Sequence, residues 1–138
     1  MKTPRSPYQK IGGLFFLGRS IDKIRLKAAG NLRADFHEMM GGGMDARLMN
    51  FLGLKYAAFA EYVLAGHTDA EIAEWAFTNG RCLNDDEILI WNDFSSKRGW
   101  NDSASERLAQ FKQESGLSDR TDLITLFQYM EVDEGRKP

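Results

Sequence analysis

The sequence is short of cysteine and histidine. Cys82 is the single cysteine in 138 residues, so no disulfide can form within the chain. A lone thiol is typical of a reducing compartment, and we therefore expect a cytoplasmic protein. The two histidines, His37 and His67, have no array of cysteines or carboxylates around them at ligand spacing. This disfavours a dedicated zinc site, and we expect neither a bound metal nor a cofactor.

Long hydrophobic runs and internal prolines are also missing. The amino-terminal region offers only four consecutive apolar residues, 14–17, which is too few for a signal peptide or a membrane span. We therefore expect a soluble protein without membrane contact. Prolines occur only at positions 4, 7 and 138, so none interrupts a helix between Tyr8 and Lys137.

What the sequence does contain is a series of helix start and stop signals. A capping residue precedes a glutamate by three positions at Thr68, Asn84 and Ser103, which predicts three capping boxes. Apolar residues recur at helical spacing, and glycines mark the predicted helix ends. Helices are predicted over 17–28, about 45–53, 55–65, after Thr68, after Asn84, over 103–116 and from about Asp122 to Gly135.

These signals predict an all-α protein with less than a tenth of its residues in strands. A chain of this length suits one domain, 1–138, that buries about two-thirds of the surface its unfolded form exposes. We expect a compact bundle of about six helices, with residues 1–13 as an amino-terminal arm packed on or near the body. Residues 31–43, which end in three glycines, are predicted to form an irregular loop. Trp75 and Trp91 are predicted to be core anchors.

Charge is distributed unevenly along the chain. Residues 1–33 carry eight Lys or Arg and one acid, Asp22, whereas the remaining residues carry ten basic and nineteen acidic ones. The opposite signs favour either an amino-terminal segment docked on an acidic body or a cationic surface for a negatively charged partner. Nucleic acid is the weaker interpretation, because no run of adjacent basic residues is present and the helix after Asn84 opens with three acids.

The densest charge lies in the first predicted helix. Asp22 is three residues from both Arg19 and Arg25, a spacing that lets one carboxylate meet two guanidinium groups. The predicted apolar stripe consists of Leu17, Ile21, Ile24 and Ala28, and on this projection Lys23 points away from it. The trio is interpreted as a structural ion-pair network or, alternatively, as an anion pocket.

Familiar catalytic patterns are absent. Gly41, Gly42 and Gly43 precede a helix, but no Lys-Ser/Thr pair follows, and Asp45 at the helix start disfavours phosphate. Cys82 has no histidine near it in sequence. The sequence therefore indicates no set of nucleophile, base and orienting residue.

Several short stretches spread along the chain form a recognisable set: Pro4-Arg5-Ser6-Pro7, Gly12-Gly13, Leu17, Arg19, Ile21-Asp22-Lys23, Arg25, Gly30, Phe51-Leu52-Gly53, Trp75, Trp91-Asn92, Arg120-Thr121-Asp122 and Asp133-Glu134-Gly135-Arg136. In these residues the chain resembles a family of small bacterial helical proteins catalogued only as a domain of unknown function. The resemblance covers nearly the whole length. It implies a bacterial, helical, single-domain protein and no particular reaction.

Two functional hypotheses follow. The first is a non-catalytic binding module whose cationic amino-terminal third contacts an acidic protein surface or a small anion. The second is an enzyme acting on a small carboxylate- or phosphate-bearing substrate. In both, the candidate binding residues are Arg5, Arg19, Asp22, Arg25 and Asp122, with Asp22 or Asp122 as the base in the second.

Overall fold

A computed structural model describes residues 1–137, which form seven α-helices and one short 3₁₀ helix. The helices are α1 (Leu17–Ala28), α2 (Gly43–Leu52), α3 (Tyr56–Leu64), α4 (Asp69–Asn79), α5 (Asp85–Lys97), α6 (Ser105–Glu114) and α7 (Leu126–Asp133), and the 3₁₀ helix is Ala34–Phe36. Within residues 1–137, β pairing is limited to the isolated bridges Lys2–Leu32 and Ile11–Leu14. The all-α prediction is confirmed, with seven α-helices where about six were expected.

Two of the three predicted capping boxes are present. The side chains of Thr68 and Asn84 accept hydrogen bonds from the backbone N–H groups of Glu71 and Glu87, and each glutamate bonds back to the backbone of its cap. Both starts follow from sequence because a capping box uses only residues within one turn.

The capping box predicted at Ser103 is wrong. The cap position of α6 is Ala104, and the neighbouring carboxylate of Asp102 accepts hydrogen bonds from the N–H groups of Gly99 and Ala104. Asp102, and not Ser103, is therefore the side chain that accepts the hydrogen bonds of these N–H groups. Ser105 Oγ donates to the Gly99 carbonyl.

The last helix also begins later than predicted. Asp122 lies in an exposed turn, where both of its carboxylate oxygens accept hydrogen bonds from Arg120. The helix starts after Thr125, which forms a capping box with Gln128. A glutamine at the third helical position gives a weaker sequence signal than glutamate but makes the same bonds.

Helix α1 is the central element of the fold. Seven of its twelve residues are buried, and it packs chiefly against α3. Of the predicted apolar stripe, Leu17, Ile21 and Ile24 are buried and Ala28 is exposed. The buried residues also include the charged side chains of Arg19 and Lys23. The helix therefore places cations inside the protein, where each needs a partner.

The segment before α1 is held by α5. The side-chain amide of Asn92 donates to the Gly13 carbonyl, its oxygen accepts from the Phe15 N–H, and the Trp91 indole donates to the Phe15 carbonyl. Trp91 is 2% exposed, as predicted, whereas Trp75 is half-buried at the edge of the core and stacks on Tyr62.

The buried apolar side chains form two clusters. The larger is built mainly from the segment before α1 and from α1 to α5, and the smaller consists of Ala104, Leu108, Leu126 and Tyr129. Met130 packs against both. The junction of the two clusters positions the candidate site described next.

Candidate functional site

The amino-terminal arm and two helices share one charged network. Arg5 donates to both carboxylate oxygens of Asp22, at 2.8 and 3.1 Å, and to Asp69 at 2.8 Å. Arg25 donates to the same Asp69 at 2.8 Å and to the His67 carbonyl. The hydrogen bonds to Asp22 and Asp69 raise the pKa of Arg5, and those from Arg5 and Arg25 lower the pKa of Asp69. The network joins the arm to α1 and α4.

The predicted trio of Arg19, Asp22 and Arg25 is therefore wrong in its pairing. Asp22 is bound by Arg5, whose backbone N–H also donates to it at 2.9 Å, while Arg25 reaches across to α4. Spacing along one helix shows which charges are close in sequence. Here the charged groups of other segments form the hydrogen-bonded ion pairs instead.

Arg19 belongs to a second, more deeply buried network. Its guanidinium makes two parallel hydrogen bonds of 2.8 Å to Glu134, and both side chains are almost fully buried, at 2% and 1% exposure. Nη1 also donates to the Arg5 carbonyl, and the group lies 5.6 Å from the Phe36 ring centroid. Nε of Arg19 has no hydrogen-bond partner within residues 1–137.

Lys23 is buried, contrary to the prediction that it points away from the core. Its ammonium lies 2.7 Å from Asp45 Oδ2 on α2, and the second carboxylate oxygen accepts from Ser20 Oγ at 2.5 Å. The Gly41 N–H also donates to Asp45. Burial lowers the pKa of Lys23, against the opposing effect of Asp45. The two side chains are 7% and 1% exposed, so the pair is shielded from water.

The predicted site residues are thus divided among three places. Arg5, Asp22 and Arg25 share the first network, and Arg19 lies in the second. Asp122 is on the surface and pairs with Arg120. The structure does not bring these five residues together around one point.

A cleft lies between the 36–47 segment and the α6–α7 pair, and its volume is about 470 Å³. Its apolar lining includes the rings of Phe16, Phe36 and Phe111. Its charged lining consists of Arg19, Lys23, Arg47, Arg98 and Arg107, with Glu38 as the acid. The cleft therefore combines an aromatic floor with an excess of positive charge.

Two of these cations have no internal carboxylate partner. Arg19, Lys23 and Arg98 pair with Glu134, Asp45 and Asp102, whereas Arg47 and Arg107 have no carboxylate within 4.0 Å in the described part of the chain. Arg47 is on α2 and Arg107 is on α6, where it lies 4.4 Å from the Phe111 ring centroid. The two uncompensated charges therefore come from different walls of the cleft.

The glycine loop contributes backbone to the same cleft. Gly42 and Gly43 line it, and Gly42 at the cap position of α2 leaves the first turn without a side-chain cap. Asp45 was expected to repel an anion from this helix start. Its carboxylate instead binds Lys23 and Ser20, so its negative charge is paired with a cation inside the protein.

Phe16 has strained backbone geometry in the cleft wall. Its φ is 76°, in the left-handed region that bulky residues rarely adopt, and it occupies the cap position of α1. The Lys23 ammonium is 5.2 Å from its ring centroid and the Arg19 guanidinium 5.9 Å. Strain of this kind costs about 1–3 kcal/mol and tends to occur at functional sites.

Sequence reasoning missed most of the cleft. No sequence motif marks Arg47, Arg98, Arg107 or Phe16. Arg47 and Arg107 also lie on helices that are separated by three others along the chain. The one signal in the sequence was the triple glycine at the start of α2, where the charge of Asp45 disfavours phosphate. No group of three or more His, Cys, Asp or Glu side chains in the part of the chain that the structure describes could hold a metal ion.

The fold and cleft define a small all-α protein with a cationic, aromatic-lined pocket and ion-paired helices. A family model for the domain of unknown function DUF5069 matches residues 1–136. The chain belongs to this family. The comparison with curated proteins returns no match.

Proposed function

We propose that this protein is a non-catalytic binding module that takes a small organic anion with an apolar body into the cleft between the 36–47 segment and α6–α7. The observation that carries the proposal is the pair of uncompensated cations, Arg47 and Arg107, on different walls above an aromatic floor. A pocket with an apolar lining and a few directed charged groups is the usual form of a small-molecule site. Arginine favours carboxylate and phosphate because its planar fork can donate two parallel bonds.

The alternative partner, an acidic protein surface, has less support. Five of the eight basic residues in 1–33 already pair with carboxylates of the chain, and these are Arg5, Arg19, Lys23, Arg25 and Arg33. The contacts favour the interpretation in which the amino-terminal segment is docked on an acidic body. The three basic residues of 1–33 without a carboxylate partner, Lys2, Lys10 and Lys27, do not line the cleft, so the unpaired positive charge there comes from Arg47 and Arg107.

The test measures binding of three probes of similar size by calorimetry and thermal shift: phenyl phosphate, 3-phenylpropionate and 3-phenylpropanol. We expect the two anions to bind and the alcohol not to. An anion at one hundred times its dissociation constant adds about 2.7 kcal/mol of stability. Arg47→Gln and Arg107→Gln should weaken binding of both anions.

The matched control is Lys55→Gln, which removes one positive charge from an exposed position outside the cleft lining. It should leave binding unchanged. Equal binding of the alcohol, or equal losses in all three variants, would contradict a directed anion site.

A bacterial origin and a cytoplasmic location stay predictions from the sequence. No helix within residues 1–137 combines the length and apolar character needed to cross a membrane.

The second candidate function, an enzyme for a small carboxylate- or phosphate-bearing substrate, is favoured by one observation, the buried Lys23–Asp45 pair in the wall of this cleft.

A further inference from the structure

Lys23 is unlike the other lysines of the described chain, because it alone is buried. It nevertheless lines the cleft that we assign to an anion. Its amine has one carboxylate partner, Asp45, at 2.7 Å. A buried lysine beside a carboxylate and in the wall of a pocket is placed for covalent chemistry as well as for structure.

The groups around Lys23 favour a reactive amine. Burial is the largest influence and lowers the pKa of Lys23, Arg19 lowers it further, and Asp45 and Glu134 act in the opposite direction. The Asp45 carboxylate, held by Ser20 and the Gly41 N–H, is within hydrogen-bond distance of the ammonium and can accept its proton. Amine and proton acceptor are thus already in contact.

A second polar group lies nearby without a partner. Tyr56 packs against Gly41, where an added Cβ would lie 3.0 Å from the ring, and its buried hydroxyl has no hydrogen-bond partner within residues 1–137. Burial, the larger cause, and the charge of Asp45 raise the pKa of Tyr56 to about 12, so the hydroxyl keeps its proton at neutral pH. Buried hydroxyls are normally bonded, and this one has no partner in the described residues.

We propose that Lys23 forms an imine with the carbonyl group of a small 2-oxo acid held in the cleft, with Asp45 relaying the proton. This inference rests on the proposed function, because Arg47 and Arg107 are the groups that would hold the carboxylate. The body of the acid would lie over the aromatic floor around Phe16.

The reaction leaves the charge of the buried pair unchanged. The ammonium passes one proton to Asp45, and the free amine attacks the carbonyl carbon to give a carbinolamine. The C–O bond then breaks, and the oxygen leaves as water with two of the three original ammonium protons. The product is an iminium that keeps the third proton and the positive charge, and Asp45 is again a carboxylate. Because the product is still a cation facing Asp45, no unpaired charge is created in a buried position.

The experiment uses phenylpyruvate as the reacting probe and 3-phenyllactate as its control, which has a hydroxyl group where phenylpyruvate has the ketone. The full-length protein is incubated with phenylpyruvate and sodium cyanoborohydride, and the reduced adduct is mapped by peptide mass spectrometry. We expect a secondary amine at Lys23, competition by 3-phenyllactate, and less adduct in Arg47→Gln and Arg107→Gln. Lys23→Arg keeps the charge but cannot form an imine, so it should abolish the mapped adduct.

Mapping the adduct on the protein with its natural sequence shows whether Lys23 reacts, even if Lys23→Arg does not fold. Label on exposed lysines such as Lys10 and Lys27 without enrichment at Lys23 would overturn the proposal. If both acids bind in the cleft and no adduct forms, the imine is excluded and the binding function stands. If neither acid binds in calorimetry, both the imine and the proposed function fail.

Discussion

At the scale of single residues, burial determines which cation matters most. Lys23 and Arg25 are both on α1 and both pair with aspartate, but the Lys23 side chain is 7% exposed and the Arg25 side chain 37%. Asp69 keeps Arg5 as a partner when Arg25 is lost, whereas Asp45 has no second cation within 4.0 Å in residues 1–137.

Lys23→Ala should therefore destabilise the fold by about 3–5 kcal/mol, because it leaves a buried carboxylate uncompensated. Arg25→Ala should cost about 1 kcal/mol or less, as expected for a partly exposed pair. Urea unfolding of the two variants measures the difference. Equal free energies of unfolding for the two variants would show that the Lys23–Asp45 pair is not shielded from water.

Trp91 gives a prediction for an apolar residue. Its ring stacks on Phe51 at 5.3 Å between centroids, and its indole donates to the Phe15 carbonyl. Trp91→Ala should cost about 3–5 kcal/mol, because it leaves a cavity and removes the hydrogen bond. Trp100→Ala is the control, since Trp100 is 54% exposed. A melting temperature that falls equally in both variants would contradict this assignment.

Asp69 should make stability depend on pH. Its hydrogen bonds with Arg5 and then Arg25 lower its pKa in the folded protein. A lowered pKa contributes stability above the unfolded-state pKa of about 3.9, and this stability is lost as the pH falls through the folded-state pKa. The stability difference between the natural protein and Asp69→Asn should thus be largest near neutral pH and shrink in acid. Denaturation at several pH values measures it, with the exposed Asp119→Asn as control. A difference that does not change with pH would oppose the prediction.

At the scale of the helices, side-chain caps distinguish the starts of α4, α5 and α7 from that of α6. Thr68, Asn84 and Thr125 each accept a hydrogen bond from a backbone N–H of the first turn, whereas Ser103 accepts one from the Arg98 side chain.

Replacing each of the three caps by alanine should cost about 1 kcal/mol, within a range of about 0.5–2 kcal/mol. Ser103→Ala should cost about 0.5 kcal/mol or less, because it removes one exposed hydrogen bond and no cap. Urea unfolding of the four variants separates the two cases. A loss at Ser103 equal to that at Thr125 would mean that the Ser103 hydroxyl takes part in the α6 start.

At the scale of the whole molecule, segments near the two ends of the described residues 1–137 meet at α1. Arg19 donates to the Arg5 carbonyl near the amino terminus and to Glu134 after α7, and Arg136 also contacts Glu134. The arm and the end of α7 are therefore connected through one buried guanidinium.

Glu134→Ala should destabilise the fold by about 3–5 kcal/mol, because Arg19 would keep its charge in a buried position without the carboxylate. Asp122→Ala, which breaks the exposed pair with Arg120, should change stability by about 0.5 kcal/mol or less. Calorimetric unfolding compares them. If Glu134→Ala unfolds at the same temperature as the natural sequence, the connection between the chain ends is not a stabilising one.

Much of the secondary structure was predictable because its determinants are local. The boxes at Thr68 and Asn84 use residues three apart, and a left-handed glycine such as Gly53 ends a helix within its own turn. The irregular 31–43 region was predicted from its lack of helical spacing, and it contains one short 3₁₀ helix before α2 begins. At Ser103 the capping-box rule failed because the adjacent Asp102 carboxylate accepts the N–H groups of that turn instead.

The sequence by itself therefore determined the all-α class and most helix boundaries, because periodicity and capping depend on neighbours within a few positions. Only the tertiary structure decided which charges pair. Asp22 pairs with a residue 17 positions away, Lys23 with one 22 positions away and Arg19 with one 115 positions away. Long charged side chains can reach many partners, and the choice among them depends on which helices are packed together. The cleft has the same origin, since Arg47 and Arg107 face a common space only after α2 and α6 have been placed on opposite sides of the junction between the two cores.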